Sequence, residues 1–323
     1  MSVRFSFKDV NRCQRGAALL VAMLTVTLVA ALAATALWQQ WQVVEIESAE
    51  RSRVQASWIL TGAVDWSRLI LIEDARAGGP DHLAEPWAVA LQEARLSSFL
   101  AADKNNNAMI ADAPDAFLSG RIVDMQSRLN VINLIDGDKV SPPDLLAFTR
   151  LFTLLGLPPA ELMLLAENLR LASIPSANAQ SVGPVPLIPQ HLRELAWLGL
   201  SPTTIARLAP YVCVLPVRSA VNLNTASPEV IYASVSGLEM AQAQTLVNER
   251  ARSPFRTVED ARRFAGAAAE RITEVRHSVG TRFFEVRGRL RLDQLVVEER
   301  SLVQREGIGV KTLWREKAMP DGT

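Results

Sequence analysis

The side chains able to do chemistry are few and scattered. His82, His191 and His277 stand far apart with no H-E-x-x-H or C-x-x-C company, so the spacing builds no zinc site. Cys213 lies between Val212 and Val214, with Pro210 and Pro216 close by, a setting for a buried structural thiol rather than a nucleophile. No P-loop, no G-x-S-x-G and no G-x-G-x-x-G after a strand occurs, and no catalytic function is expected. Asp103, Asn105 and Asn107 alternate as the first ligands of a calcium loop do. The pattern then fails, because Ala108 stands where the turn needs Gly and Pro114 where a bidentate Glu belongs. Ala101–Asp115 reads as a solvated loop.

One stretch invites phosphate chemistry. Val221–Arg263 begins V-N-L-N-T-A and continues through Ser236-Gly237-Leu238-Glu239 to Arg256 and Asp260. It resembles the helix–hairpin–helix segment of competence-type DNA receptors, whose glycines let backbone N–H groups approach a phosphate. Here Glu239 replaces the second glycine and puts a carboxylate where phosphate oxygens would lie. Glu249, Glu259, Asp260, Glu270 and Glu274 offset the neighbouring arginines, leaving no basic stripe. The expectation is a hairpin kept for packing, with no nucleic acid bound. The rival reading, a membrane-anchored DNA-binding or DNA-uptake protein, predicts salt-sensitive binding centred on Arg250, Arg252 and Arg256.

The elements that must position these residues start at the N-terminus. A basic leader with Arg4, Lys8, Arg12 and Arg15 precedes Gly16, and Ala17–Trp38 follows as an uncharged apolar run without Gly or Pro. At ~1.5 Å per residue that run matches the ~30 Å of a bilayer core, and the leader's charge puts the N-terminus on the cytoplasmic side. Three readings fit: a signal peptide cut near Ala31–Ala34, a plain signal anchor, or a leader resembling that of type IV prepilins, cut between Gly16 and Ala17. The helical pattern runs on from Gln40 to about Arg76, with Ile59, Ala63, Trp66 and Ile70 on one face, and stops at Gly78-Gly79-Pro80. Over the whole chain, 34 Lys and Arg balance 34 Asp and Glu, so no global field recruits nucleic acid or anionic lipid. A mature chain beginning at Ala17 would retain only Cys213, which excludes a disulfide framework.

His82–Leu100 reads as a second helix with Trp87, Leu91 and Leu96 inward, and Leu118–Ile135 as strand, with Ile122, Asp124, Leu129, Val131 and Leu134 alternating. From Ser141 to Val279 short helices follow Gly-Leu turns in a recurring phrase: Leu155-Gly-Leu-Pro-Pro, Leu198-Gly-Leu-Ser-Pro, Ser236-Gly-Leu-Glu-Met. A Pro/Ser-rich loop, Ser173–Pro189, separates the first two units. Strands return in Phe283–Leu292, Leu295–Arg305 and Ile308–Arg315, with Phe284, Val286, Leu290 and Leu292 opposite Glu285, Arg287, Arg289 and Arg291. A sheet interrupted by a helical insertion is the economical reading.

The most specific resemblance lies in Gly120, Arg121, Ile122, Asp124, Gln126, Arg128, Asn130, Asn133 and Leu134. This pattern resembles the strand-and-turn signature of the general secretion pathway protein K family, the minor pseudopilins of type II secretion. The resemblance implies an α+β, pilin-like fold: a long N-terminal helix packed on an antiparallel sheet, with an inserted all-α domain of helix–hairpin–helix-like units. It divides the chain into a prepilin leader (1–16), a transmembrane helix (17–38), the first part of the pilin domain (39–140), the insertion (141–279) and C-terminal strands (280–323). It implies cleavage between Gly16 and Ala17 by the prepilin peptidase, methylation of the new N-terminus, and a single-pass place in the inner membrane with a periplasmic head. The implied partners are minor pseudopilins I and J and the major pseudopilin, with this subunit at the tip of the pseudopilus, initiating and capping it. Val21 stands where pilins usually carry Glu, a residue that offsets the neighbour's N-terminal ammonium, and a subunit at the tip has no such ammonium to neutralise. Family members also resemble one another in an acidic calcium-associated segment. The corresponding Leu165–Ala172 offers only Glu167 and Asn168, so calcium binding is expected to be weak or absent.

Overall fold

The computed structural model describes residues 10–97, 115–174, 186–292 and 295–318, with side chains described from residue 17 onward. The alternating Asp103–Asn107 stretch, most of the Pro/Ser-rich loop and the Asp293-Gln294 turn lie outside the described residues. Helix α1 (Val10–Ala77) ends where expected, at Gly78 and Gly79, both with positive φ. The chain divides into two units, Met1–Trp58 and Ile59–Thr323. In the first, the side chains from Ala17 to Arg51 are exposed. Among the described residues α1 holds the one helix long and apolar enough to cross a membrane.

The second unit contains a five-stranded antiparallel sheet, ordered β1 (Leu91–Arg95), β2 (Ala116–Asp124), β9 (Phe283–Leu292), β10 (Leu295–Glu306) and β11 (Gly309–Ala318). The terminal strands fall within a few residues of the spans their alternation predicts. From Ile59 on, α1 packs on one sheet face, Val64 and Leu71 meeting Phe284, Val286, Val303 and Val310. The buried stripe is Leu60, Val64 and Leu71, one position on from the predicted Ile59–Ala63–Ile70 face, and Trp66 remains half exposed. A helix face one residue wide of the true one still scores as periodic, since flanking apolar residues share the 3.6-residue repeat. Arg68 fixes the rotation by donating from Nη2 to the Val310 carbonyl (2.7 Å).

His82–Leu100 is not a helix through its length. Pro86–Ala88 forms a single 3-10 turn, then β1 pairs with β2, Leu91 opposite Gly120 and Ala94 opposite Leu118. Helix formers here take strand geometry because β2 would otherwise present an unpaired edge. Trp87 is buried edge-on against Phe284 (5.2 Å between ring centres), as expected of a core residue, whereas Leu91 is 39% exposed.

Between β2 and β9 runs the helical insertion. It comprises β3 (Leu129–Asn130), β4 (Ile135–Asp136), β5 (Lys139–Val140), α2 (Pro142–Leu154), α3 (Pro159–Ala172), a 3-10 segment (Leu192–Leu198), α4 (Pro202–Leu208), β6 (Val212–Cys213), β7 (Val221–Asn222), α5 (Pro228–Ser234), α6 (Met240–Arg252), α7 (Val258–Arg262) and β8 (His277–Ser278). The predicted strand Leu118–Ile135 therefore ends at Asp124. Leu129, Val131, Leu134 and Ile135 lie in the helical core with Phe148, Leu165 and Leu246, which moves the start of the insertion from 141 to the end of β2. The three Gly-Leu phrases each form a turn between helical segments. Gly156, Gly199 and Gly237 all have positive φ, where a Cβ is strained. At Gly199 a Cβ would also meet Leu164 Cδ2 at 2.3 Å.

Candidate functional site

Asp124, the last residue of β2, organises the junction between sheet and insertion. It is fully buried. Its Oδ1 accepts from the Gln126 N–H (2.7 Å), and its Oδ2 from Asn222 Nδ2 (3.0 Å) and Thr225 Oγ1 (2.5 Å). Burial raises its pKa above the usual carboxylate value, against the pull of those donors. The rest of the signature continues the same work. Gln126 Nε2 donates to Ala220 O (2.9 Å) while its Oε1 accepts from Arg282 N (2.8 Å), just before β9. Asn130 Nδ2 donates to Val217 O (2.8 Å), and its Oδ1 accepts from Leu215 N (3.1 Å). Asn133 brackets Ser219, donating to its carbonyl (2.8 Å) and accepting from its N–H (3.0 Å). Side chains spaced along 124–133 thus tie the chain leaving the sheet to the 215–225 loop and to the strand that re-enters it.

The motif resembling a DNA receptor is absorbed by the same junction. Asn222 and Thr225 serve Asp124, and Asn224 exchanges hydrogen bonds with Phe255, donating to its carbonyl and accepting from its N–H (both 2.9 Å). At the hairpin, the Leu238 N–H already donates to Val235 O (3.2 Å) and the Glu239 N–H to Gln242 Oε1 (2.9 Å). Arg250 is buried, donates to the Leu223 carbonyl, and has its pKa lowered by burial to about 10. Arg252 pairs with Glu249 (3.0 Å). Two hairpin amides and the buried Arg250 are therefore committed within the protein, while Arg252 is paired with Glu249 at the surface.

The histidines have separate settings. His82 Nδ1 accepts from the Ala84 N–H (3.3 Å), His191 stacks edge-on against Trp314 (4.9 Å), and His277 is wholly enclosed in β8. Cys213 is buried, with its thiol pushed up to about 12 by burial, which makes it inert as a nucleophile. One carboxylate group went unseen in the sequence. Asp74, Asp81 and Glu85 place oxygens within 4.8 Å of one another. Arg305, more than two hundred residues away, enters it, Nη1 donating to Asp74 (2.6 Å) and Nη2 to Asp81 (2.6 Å). Asp81 also accepts from the Thr281 N–H (2.7 Å), and Glu85 from the His82 N–H and Trp87 Nε1 (both 2.8 Å). Burial raises the pKa of Asp74 and Asp81. A guanidinium in the centre makes this an ion-pair network rather than a cation cage.

The residues expected at a calcium segment do not fit the ion. Glu167 is bound through both carboxylate oxygens to Arg170 (2.6 and 2.9 Å), and Asn168 spends its amide on the Leu198 carbonyl (3.1 Å). Gly16 and Ala17 lie within α1, and Val21, 61% exposed, is one of its many uncovered apolar residues.

Family models described as type II secretion system (T2SS), protein K match residues 127–217 and 221–280, which together span nearly the whole insertion. By these matches the chain is similar to the type II secretion system protein K family. Curated proteins of that description include one from Pseudomonas aeruginosa, 28% identical over 95% of this chain and 90% of its own length. Another, from Pectobacterium carotovorum, is 25% identical over 94% and 96%. The fold matches a crystal structure of the GspK–GspI–GspJ complex from enterotoxigenic Escherichia coli at a TM-score of 0.64 and 18% identity, covering 84% of this chain and 98% of that one. The long helix, antiparallel sheet and helical insertion are thus a fold shared with that structure.

Proposed function

We propose that the chain is a minor pseudopilin at the tip of the type II secretion pseudopilus, initiating and capping its assembly for protein export. The observation that carries this reading is one apolar, uncovered helix continuing into the helix that packs on the sheet. Such a chain is anchored in the membrane by the same element that organises its folded part. The prepilin peptidase cuts between Gly16 and Ala17 and leaves the helix on the product, in the inner membrane, with the rest of the chain in the periplasm. Its partners are minor pseudopilins I and J, by analogy with the Escherichia coli complex, and the major pseudopilin below them. Val21 supports the tip position, since an apolar residue there leaves no carboxylate to bury in lipid when no subunit stands above. The insertion adds bulk that hinders stacking on one side. Calcium plays no part at Glu167 and Asn168. Co-expression of the full chain with minor pseudopilins I and J tests the reading. A stable ternary complex is expected in detergent, and a chain that remains alone under those conditions contradicts it.

A further inference from the structure

Two lengths in α1 match two thicknesses of a bilayer. No charged residue occurs between Arg15 and Glu45, about 29 residues or ~44 Å of helix, against the ~40–45 Å of a bilayer with its headgroup layers. A chain cut after Gly16 keeps the inner boundary, since the new ammonium stands at Ala17. Within that window Ala17–Leu37 holds nothing more polar than threonine and spans ~32 Å, against the ~30 Å of the hydrocarbon core. Its three hydroxyls donate within the helix, Thr25 to Ala22 O (2.8 Å), Thr27 to Leu24 O (2.9 Å) and Thr35 to Leu32 O (2.8 Å), so none needs a partner from outside. The run is exposed on every side, which suits lipid better than the single groove of a partner.

The interval between the two lengths falls in the interfacial layer. It reads Trp38-Gln39-Gln40-Trp41-Gln42-Val43-Val44. Trp38 and Trp41 are three positions apart on one helix face, their ring centres 5.5 Å from each other and the residues 60% and 58% exposed. Neither indole N–H meets an acceptor among the described residues. An indole has an apolar body and one donor, which suits the level where acyl chains give way to ester carbonyls. The other register, with Val43, Val44 and Ile46 drawn into the hydrocarbon, would also bury Gln39, Gln40, Gln42 and Glu45, which lipid penalises.

We propose that Trp38 and Trp41 are a phospholipid-binding pair, both indoles seated in the carbonyl and headgroup layer of the leaflet on the Glu45 side, with their N–H groups donating to lipid ester oxygens. This placement rests on the membrane reading of the proposed function and goes beyond it, because a helix can span a bilayer without an aromatic anchor. No particular headgroup is required. The first charges beyond the pair, Glu45, Glu47 and Glu50, are acidic, and Arg51 and Arg53 are taken up by Glu47 and Glu50 (both 2.6 Å). No basic cluster is left there to select anionic lipid.

The test uses the full chain reconstituted in phosphatidylcholine vesicles whose lipids carry bromine either high on the acyl chain, near the carbonyl, or close to its end. Shallow bromine is expected to quench about two-sevenths of the tryptophan emission, the share of two among seven tryptophans, and deep bromine to quench less. Trp38→Phe/Trp41→Phe should abolish the quenching, and each single variant should about halve it. Trp58→Phe, which removes a 72% exposed tryptophan beyond the acidic segment, should leave the quenched intensity unchanged. Stronger quenching by deep bromine, quenching that survives the double variant, or quenching that appears only with phosphatidylglycerol would overturn the proposal. Unquenched emission from a chain that resists alkaline extraction would overturn it too, while leaving the membrane reading in place. Release of the chain by alkali would remove both.

Discussion

His277 turns the insertion's stability into a function of pH. It is wholly buried in β8, its Nδ1 accepts from the Thr273 N–H (3.2 Å), and its Nε2 finds no partner. Burial, with Arg276 beside it, holds its pKa down to about 4 against an ordinary 6.5. The folded imidazole therefore stays neutral where the unfolded one takes a proton. Its contribution is fully present above pH ~6.5 and is lost as pH falls through the window to about 4, where the folded form protonates as well. Two and a half pH units at ~1.36 kcal/mol each give a loss of ~3 kcal/mol, of which ~1 kcal/mol is gone by pH 5.5. Asp124, Asp81 and Asp74, with raised pKa values, act in the opposite sense, gaining stability as pH falls. The comparison of wild type with His277→Gln isolates the histidine. Guanidinium unfolding of the full chain in detergent, followed by tryptophan fluorescence between pH 4.5 and 7.5, gives both curves. The wild-type profile should fall more steeply by ~2–3 kcal/mol across that range; parallel profiles would refute the reasoning.

Three further outcomes follow from the junction and its surroundings. Asp124→Ala leaves the Gln126 N–H, Asn222 Nδ2 and Thr225 hydroxyl without their acceptor, and should cost ~3 kcal/mol in chemical denaturation. Hydrogen exchange in that variant should rise at 215–225 ahead of β9–β10. Arg305→Met strands two buried carboxylates and should destabilise by ~3–5 kcal/mol at pH 7, with part recovered at acidic pH as Asp74 and Asp81 protonate, which a pH series of melts would record. Isothermal titration of the full chain with calcium should show no micromolar site; a micromolar site lost in Glu167→Ala would contradict the poor fit of Glu167 and Asn168.

The parts of the fold legible in the sequence are those whose signal is local. The alternation of Phe284, Val286, Leu290 and Leu292 marks a strand with one buried face, and all four are buried. The opposite face was only half legible, because Glu285 is buried where Phe283, on the same side, joins Met125, Cys213 and Leu215 from the insertion. No pattern along β9 announces that cover. The 82–100 stretch misled for a related reason: its helix-forming composition yields to a hydrogen-bonding edge supplied by a distant strand. The junction's residues were visible as a signature, but not what they hold. Asn222 and Thr225 spell a nucleic-acid motif in sequence and read as ligands of Asp124 only when the chain is folded. The Asp74–Asp81–Glu85 group needs Arg305 from the far end of the chain, and nothing nearby in sequence points to it.

The intact mass and N-terminal sequence of the membrane-extracted chain, from cells with and without the prepilin peptidase, test the central claim most directly. A chain beginning at Ala17, methylated at its N-terminus and dependent on that peptidase, is the predicted result. A chain that keeps Met1–Gly16 in both strains, or one cut near Ala34, would contradict the pseudopilin assignment.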